Sequence, residues 1–409
     1  MGTILAVEVS RMLKHLTDVV PEFLWAPEYD IAEGEPTHGV RALFFRGHDL
    51  GGKRTRVFAY YGAPSHAEGE RLPAVVLVHG GGGTAYDVWV KQWCDRGYAA
   101  IALDTVGGFP SEEGRGKSYR EGMKLAYAPR TRREVGESIS GPANDEARTM
   151  HLPKDERWLT HAVSAVILAH SLIRSFPEID PDRVGIMGIS WGGVLTSHAL
   201  AYDRRFAFAV PVYGSAYLST GDSKLNRIYR DHGVDRHFDA QTELSALPFP
   251  VLWQCCDHDS DFSVDANVRS YLDTRAAGAV LAICAMGHAH TCAWGREEPF
   301  VFADGAIGRG LGLCRILEEP QGFGDVSFRI VLTADAEDAS AVCHYLTAPM
   351  TFDADGKPTY EWHHTPAVIE GERVSFSLPE GAMGYYATLE WRAGGKRLSV
   401  STVYREKSY

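Results

Sequence analysis

The pentapeptide Gly188-Ile189-Ser190-Trp191-Gly192 constrains the fold more than any other part of the chain. It follows an apolar run that begins at residue 183 and is typical of a buried strand, and it opens a helical pattern that continues to residue 202. A sharp strand-to-helix turn strains the serine backbone and projects its hydroxyl out of the sheet, while flanking glycines avoid side-chain clashes. The sequence therefore predicts a strand, a turn and a helix that expose Ser190 as a nucleophile.

A glycine-rich motif, His-Gly-Gly-Gly-Gly at residues 79–83, follows the apolar run 74–78. Without side chains, the main chain of such a loop can approach an oxygen that gains negative charge during a reaction. We expect the backbone N–H of Trp191, directly after the nucleophile, to be one donor to that oxygen. The second donor is expected to be an N–H within Gly81 to Gly83, with Gly81 and Gly82 as the named candidates.

The hydrophobic pattern predicts an α/β fold with a mostly parallel central sheet, because near-continuous apolar runs alternate with helical segments from residue 74 onward. The predicted strands cover residues 41–46, 56–61, 74–78, 98–104, 183–188, 208–213, 250–256 and 279–286. The predicted helices cover residues 87–96, 158–175, 191–202, 264–276 and 297–306.

The two ends of the chain differ from this pattern. Apolar residues recur at helical spacing near the amino terminus, which predicts an amphipathic helical extension over residues 1–39 that docks on the body. After about residue 319 alternation replaces helical periodicity, which predicts a carboxyl-terminal β-sandwich of immunoglobulin-like size over residues 319–409. The catalytic domain is then expected over residues 40–318.

Two segments, 107–156 and 215–247, are too long to be simple connectors. Both follow predicted parallel strands, so we expect them at the carboxyl edge of the sheet, where an open α/β fold binds its ligand. The sequence thus predicts that these insertions set substrate choice, and that the β-sandwich serves stability or assembly.

Composition excludes several classes of partner. The formal net charge is −12 and basic clusters are short, which argues against nucleic acid. No apolar run approaches the roughly 20 residues of a membrane helix. Seven cysteines without a CxxC pair, and an amino terminus without signal-peptide features, predict reduced thiols and a cytoplasmic location. The expected partner is a small-molecule ester, and a homo-oligomer is compatible with the sequence.

No cofactor or metal is expected. Residues of metal-ligating type do occur on two separate loops, but they lack a known ligand spacing such as HExxH; they are Asp257, His258, Asp261, His290 and Cys292.

An acyl-transfer triad requires a base for the serine and a carboxylate that orients this base, and in a chain of this pattern they follow in the order serine, acid, histidine. The next acidic cluster after Ser190 lies at the end of the strand 250–256, and it offers Asp257, Asp259 and Asp261. The last predicted strand is followed by His288 and His290. The pattern alone leaves these alternatives open.

Residues 40–310 resemble the α/β-hydrolase superfamily, in its branch of dienelactone hydrolases and acetyl xylan esterase-like enzymes. The resemblance lies in the glycine motif 79–83, the elbow 188–193, the aspartate-bearing turn and the late Gly-His pair. It implies Asp259 as the acid, three residues after the small residue that closes its strand. It implies His288, which follows a glycine, as the base.

These features predict a serine carboxylic ester hydrolase that works through an acyl-enzyme, and the resemblance favours small acyl groups, such as acetyl on a carbohydrate. The nearest alternative is a peptidase similar to prolyl oligopeptidase, which has a similar elbow. We expect it less, because about 70 residues before residue 72 are too few for a propeller of ~40-residue blades. A non-catalytic binding protein on the same scaffold is the other alternative.

Overall fold

The computed structural model describes residues 2–110, 114–119, 138–140, 149, 151–232 and 240–407. Most of the first predicted insertion, and residues 233–239 of the second, lie outside these described residues. Contacts divide the chain into two compact units: Met1–Gly214 with Arg236–Glu243, and Ser215–Asp235 with Leu244–Tyr409.

The strands and helices of the described residues are numbered in chain order. The strands are β1 (Phe23–Trp25), β2 (Arg41–Arg46), β3 (Arg54–Gly62), β4 (Leu72–Val78), β5 (Ala99–Leu103), β6 (Ser138–Ser140), β7 (Ile179–Ile189), β8 (Ala209–Val212), β9 (Leu252–Cys256), β10 (Val280–Cys284), β11 (Arg315–Glu318), β12 (Asp325–Val331), β13 (Glu337–Leu346), β14 (His363–Glu370), β15 (Arg373–Ser377), β16 (Gly384–Ala393), β17 (Lys396–Ser401) and β18 (Arg405–Glu406). The α-helices are α1 (Gly2–His15), α2 (Asp87–Cys94), α3 (Trp158–Arg174), α4 (Trp191–Tyr202), α5 (Lys224–His232), α6 (Ala240–Glu243), α7 (Val264–Thr274), α8 (His290–Trp294) and α9 (Glu298–Ala306).

The first unit is built on a mixed sheet in the order β1-β2-β3-β5-β4-β7-β8, with β6 beside β3. The strands β5, β4, β7 and β8 are parallel, whereas β1, β2 and β3 form an antiparallel edge. The central strands β4 and β5 are buried along their whole length, as their continuous apolar runs predict. The strands β5 and β7 lie on opposite sides of β4, and both are parallel to it. The helix α2 connects β4 to β5, and α3 lies in the crossover from β5 to β7, as in α/β-hydrolases.

The second unit contains a parallel pair, β9 and β10, joined through α7. Its remaining strands form an antiparallel sheet in the order β11-β12-β15-β14-β13-β16-β17, with β18 beside β16. Ser401 of β17 hydrogen-bonds the backbone of Ile283 in β10, with its hydroxyl 3.1 Å from the Ile283 nitrogen. A second, strand-rich region after the α/β part is therefore present, and its immunoglobulin-like character stays a prediction.

The predicted strands and helices of the α/β part are all present, with ends that differ by a few residues from those expected. The amino-terminal helix forms α1, which buries Val9 and Leu13. Several elements were not predicted, namely β1, β6, β11, β14, β18, α5, α6 and α8. Among the helices that the structure describes, none is long and apolar enough to cross a membrane.

Candidate active site

Ser190 occupies the turn between β7 and α4 with φ +58° and ψ −120°. A positive φ is rare for a residue with a side chain, so the surrounding structure must hold this conformation. The Ser190 N–H donates to the Val212 carbonyl of β8 at 2.9 Å, and the Ser190 carbonyl accepts from Val194 at 3.0 Å. These two bonds fix the serine between a neighbouring strand and the first turn of the helix, as the elbow pattern predicts.

The glycines around Ser190 are required because the backbone of α4 lies directly against two strands. A Cβ at Gly192 would lie 1.9 Å from the carbonyl oxygen of Val78 at the end of β4. A Cβ at Gly188 would lie 2.0 Å from the Gly192 oxygen, and one at Gly193 would lie 2.7 Å from the Val212 oxygen. The motif thus brings the amino terminus of the helix close to the ends of β4 and β8.

We expect Gly192→Ala to destabilise the protein by about 3 kcal/mol or more, because overpacking against fixed backbone atoms cannot be relieved by a rotamer change. The matched control is Gly295→Ala, where the nearest atom to an added Cβ is 3.5 Å away. The midpoints of urea unfolding would measure both. A Gly192→Ala protein as stable as the control would contradict the close packing of the elbow.

His79 anchors the glycine loop. Its Nε2 accepts from the Thr105 N–H at 3.0 Å, so Nδ1 carries the proton and donates to the Gly80 carbonyl at 2.7 Å. The imidazole therefore joins the chain beyond β4 to the chain beyond β5. No local pattern in the sequence signals this contact, since Thr105 lies 26 residues away.

The rest of the loop is a tight turn. The Gly83 N–H donates to the Gly80 carbonyl at 3.0 Å, and Gly82 has a φ of +68°. Gly81 and Gly82 are exposed, whereas Gly83 is buried. The amide of Gly83 is used in closing the turn, and the assignment of Gly81 or Gly82 as an oxyanion donor stays a prediction. Trp191, whose amide is the other expected donor, packs its ring edge-to-face on Trp158 at 4.8 Å between centroids.

In the second unit, Asp259 and His288 form a hydrogen-bonded pair. The distance from His288 Nδ1 to Asp259 Oδ2 is 2.8 Å, and Asp259 is 1% exposed. The other carboxylate oxygen, Oδ1, accepts from the backbone N–H groups of Asp261 at 2.8 Å and Phe262 at 3.1 Å. The buried carboxylate is thus fully oriented, and the pair leaves His288 Nε2 as the nitrogen that can exchange a proton with a substrate or nucleophile.

A second carboxylate faces this nitrogen, since Asp261 Oδ2 lies 3.9 Å from His288 Nε2. Burial lowers the pKa of His288, but the hydrogen bond that His288 donates to Asp259 and the charges of Asp259 and Asp261 outweigh it and raise the pKa above its usual value. Burial raises the pKa of Asp261, and the charge of His288 opposes this rise. The proximity of Asp261 to Nε2 has no signature in the sequence beyond its place in the acidic cluster.

The alternative acid and base have other surroundings. The Asp257 carboxylate lies 3.9 Å from His258 Nδ1, and burial raises the pKa of Asp257. His290 is the first residue of α8 and packs on the ring of Trp294 at 5.9 Å between centroids. The structure therefore brings Asp259 and His288 together. Their role as acid and base for Ser190, which lies in the other unit, stays a prediction.

Asp259, Asp261 and His288 also offer ligand atoms within 4.8 Å of one another, which is the spacing of a divalent cation site. Two of the three residues, Asp259 and His288, already bond to each other, so a cation would compete with the pair. His258 and Cys292, which are of ligating type in the sequence, are not part of this cluster.

Solved structures similar to the chain include esterases and peptidases. Acetyl xylan esterase 1 from a Thermoanaerobacterium species is 17% identical, with a TM-score of 0.47, over 69% of this chain and 88% of that one. Acylaminoacyl peptidase from Pyrococcus horikoshii is 18% identical, with a TM-score of 0.43, over 62% of this chain and 38% of that one. A puromycin-hydrolysing peptidase from Mycobacterium tuberculosis is 20% identical, with a TM-score of 0.46, over 66% and 40% of the two chains. No curated protein shows a significant match to the sequence.

Residues 155–266 match the model of the prolyl oligopeptidase family. This segment spans α3, β7, the elbow, α4, β8, β9 and the start of α7, and it includes Ser190 and Asp259. The match covers about a quarter of the chain and ends before His288. The strand order of the first unit and the strained serine between β7 and α4 agree with this match, and together they support a serine hydrolase with an α/β-hydrolase-like fold.

Proposed function

We propose that the protein is a carboxylic ester hydrolase that works through an acyl-enzyme on Ser190. The proposal is carried by the presence of two features in one chain. One is a serine held at positive φ in a strand-to-helix elbow, and the other is a histidine hydrogen-bonded to a buried aspartate. Each is the local arrangement that nucleophilic acyl transfer requires.

In the proposed reaction, the Ser190 hydroxyl attacks the ester carbonyl while His288 Nε2 takes its proton. Asp259 holds the imidazole through Nδ1 and stabilises its charged form. The N–H groups of Trp191 and of Gly81 or Gly82 stabilise the oxyanion. His288 then protonates the leaving alcohol, and a water molecule deprotonated by His288 attacks the acyl-enzyme to release the acid and restore Ser190. This mechanism requires the two units to bring His288 Nε2 to the Ser190 hydroxyl.

A polar substrate is favoured by a polar cavity that is lined in part by Asp261, whose carboxylate lies 3.9 Å from His288 Nε2. This cavity of about 650 Å³ lies within the second unit, and its lining also includes Lys224, Arg227, Ser260 and Lys357. Charged and hydroxyl groups bind a hydroxyl-rich alcohol better than a long alkyl chain, because an alkyl chain would displace their water without replacing the hydrogen bonds of that water. We therefore propose small acyl groups, such as acetyl, on a carbohydrate or another polar alcohol.

A peptidase is the second candidate, and the match of residues 155–266 to the prolyl oligopeptidase family model favours it. Both reactions use the same nucleophile and base, so the elbow and the histidine–aspartate pair do not distinguish them. The difference lies in the substrate that the site accepts.

We expect the protein to release acetate from acetylated xylo-oligosaccharides and to leave unblocked and N-acetylated peptides intact. Liquid chromatography with mass spectrometry would follow both reactions, with Ser190→Ala as the control for background hydrolysis. Peptide cleavage that disappears in Ser190→Ala would establish the peptidase instead. A protein that neither turns over an ester or peptide nor reacts with a fluorophosphonate would be a binding protein on this scaffold.

A further inference from the structure

The acid turn, residues 257–261, is fastened to the antiparallel part of the second unit by three hydrogen bonds. Two donors converge on the Asp257 carbonyl: the Tyr360 hydroxyl at 2.9 Å and the Trp362 indole N–H at 3.1 Å. In return, His258 Nε2 donates to the Tyr360 carbonyl at 2.8 Å, and the two rings lie 4.8 Å apart. More than 100 residues of chain separate the partners of each bond.

The two donors are held by their own surroundings. Tyr360 and Trp362 are buried. The Trp362 ring packs edge-to-face on Tyr386 at 4.9 Å and on Tyr404 at 5.8 Å between centroids. Because large aromatic side chains in a packed cluster have few accessible rotamers, the hydroxyl and the indole N–H present a fixed pair of donors to the turn.

The loop that precedes these residues has a separate anchor. Phe352 pairs with Pro358 across a short bridge, and the Arg227 guanidinium of α5 donates to the carbonyls of Phe352 and Asp353. Gly356 lies so close to Lys224 that an added Cβ would be 2.4 Å from its backbone nitrogen. The segment 352–362 is therefore fixed both at its tip and where it meets the acid turn.

This attachment bears on Asp259, because the carboxylate takes its orientation from the turn. Asp259 Oδ1 is held by two backbone amides of the same turn, and Oδ2 bonds to His288 Nδ1. A shift of the turn backbone would move both oxygens relative to the imidazole. A displacement of about 1 Å in a catalytic group can cost up to ~100-fold in rate.

We propose that Tyr360 and Trp362 are positioning residues for the reaction: by holding the Asp257 carbonyl, they keep Asp259 in place against His288. The carboxyl-terminal strands then take part in catalysis in addition to the stability or assembly role expected from the sequence. This role rests on the ester hydrolysis proposed above.

The test compares Tyr360→Phe with Tyr385→Phe. Tyr385 is also buried in the second unit, and its hydroxyl also donates to a backbone carbonyl, that of Gly322, at 2.9 Å. Each variant thus loses one hydroxyl and one hydrogen bond of equal length, and only one of these bonds reaches the acid turn. Trp362→Phe removes the second donor and keeps an aromatic ring.

We expect Tyr360→Phe and Trp362→Phe each to lower kcat about 2- to 10-fold, which is the range that loss of one neutral hydrogen bond allows. KM should change less than kcat, since the turn positions the base and its acid. The acidic limb of the kcat/KM profile should move to lower pH, because a weaker hydrogen bond from His288 to Asp259 raises the pKa of His288 less. Tyr385→Phe should lower Tm to a similar extent and leave kcat and the pH profile unchanged.

The outcomes separate this role from the function on which it rests. If the wild-type protein hydrolyses esters, and Tyr360→Phe and Trp362→Phe change only Tm as Tyr385→Phe does, the positioning role is wrong and the proposed function stands. If the wild-type protein neither hydrolyses esters nor reacts with a fluorophosphonate, the proposed function fails, and the positioning role fails with it.

Discussion

We expect Ser190→Ala to lower kcat/KM for an activated acetyl ester by about four to six orders of magnitude. The alanine leaves no nucleophile at the elbow, so the acyl-enzyme cannot form, and its methyl group fits the turn without a clash. Any remaining rate would come from the oxyanion donors and substrate binding, which can act without the serine. The fold should be retained, because the two bonds that fix the turn involve only the backbone of residue 190.

A second serine on the same helix provides the control. Ser197 is buried in α4, and its hydroxyl donates to the Gly193 carbonyl at 2.9 Å. Ser197→Ala should keep ester turnover and reaction with a fluorophosphonate, whereas Ser190→Ala should lose both. Mass spectrometry of the labelled wild-type protein should place the adduct on Ser190. An adduct on another residue would show that the elbow does not carry the nucleophile.

The parts of the fold that the sequence predicts well are those with a local, continuous signal. The strands β4 and β5, and β7 from residue 184 onward, are buried on both faces and consist of apolar runs, so their existence follows from a few adjacent residues. The elbow has an equally local signal, because its glycines lie within six residues of one another, although the atoms that require them include Val78 of β4 and Val212 of β8.

Elements without such a signal were missed. The strand β14 has no fully buried position, contains Pro366 and presents a side chain to solvent at every second residue, so its pattern resembles that of a loop. The helix α8 has only five residues, which is too short for a helical period to be recognised.

The choice among the candidate acids shows where sequence reasoning stops. Asp257, Asp259 and Asp261 lie within five residues, and each has the right chemistry. What distinguishes them is where each side chain points, and this depends on the backbone of the turn. Tyr360 and Trp362, which lie more than 100 residues later in the sequence, hydrogen-bond to that backbone. Such long-range contacts leave no periodicity in the chain, so the resemblance to a family could indicate Asp259, whereas composition and spacing could not.

We expect Asp259→Asn to lower kcat about 10⁴-fold, because an amide favours the wrong imidazole tautomer and cannot stabilise the charged form. His288→Gln should lower kcat by at least as much, since it removes the proposed base. His290→Gln should change kcat little, and Asp257→Asn should cost less than Asp259→Asn. Steady-state kinetics on an acetyl ester would measure all four. A larger loss in His290→Gln than in His288→Gln would assign the base to His290, and the ester hydrolase proposal would survive this change.

The pH dependence of the same proteins tests how Asp259 and Asp261 act. His288 must be neutral to accept the serine proton, so kcat/KM should fall as the pH drops through the pKa of His288 in the free enzyme. The two carboxylates raise this pKa, which places the midpoint above the ordinary value of about 6.5. Asp261→Asn removes one of the negative charges, and the midpoint should move to lower pH while Asp259 still orients the ring. The residual activity of Asp259→Asn should shift further in the same direction, because it loses both a charge and the hydrogen bond to Nδ1. A midpoint that stays in place in both variants would mean that another group controls the acidic limb, and His288 would then lose its assignment as the base.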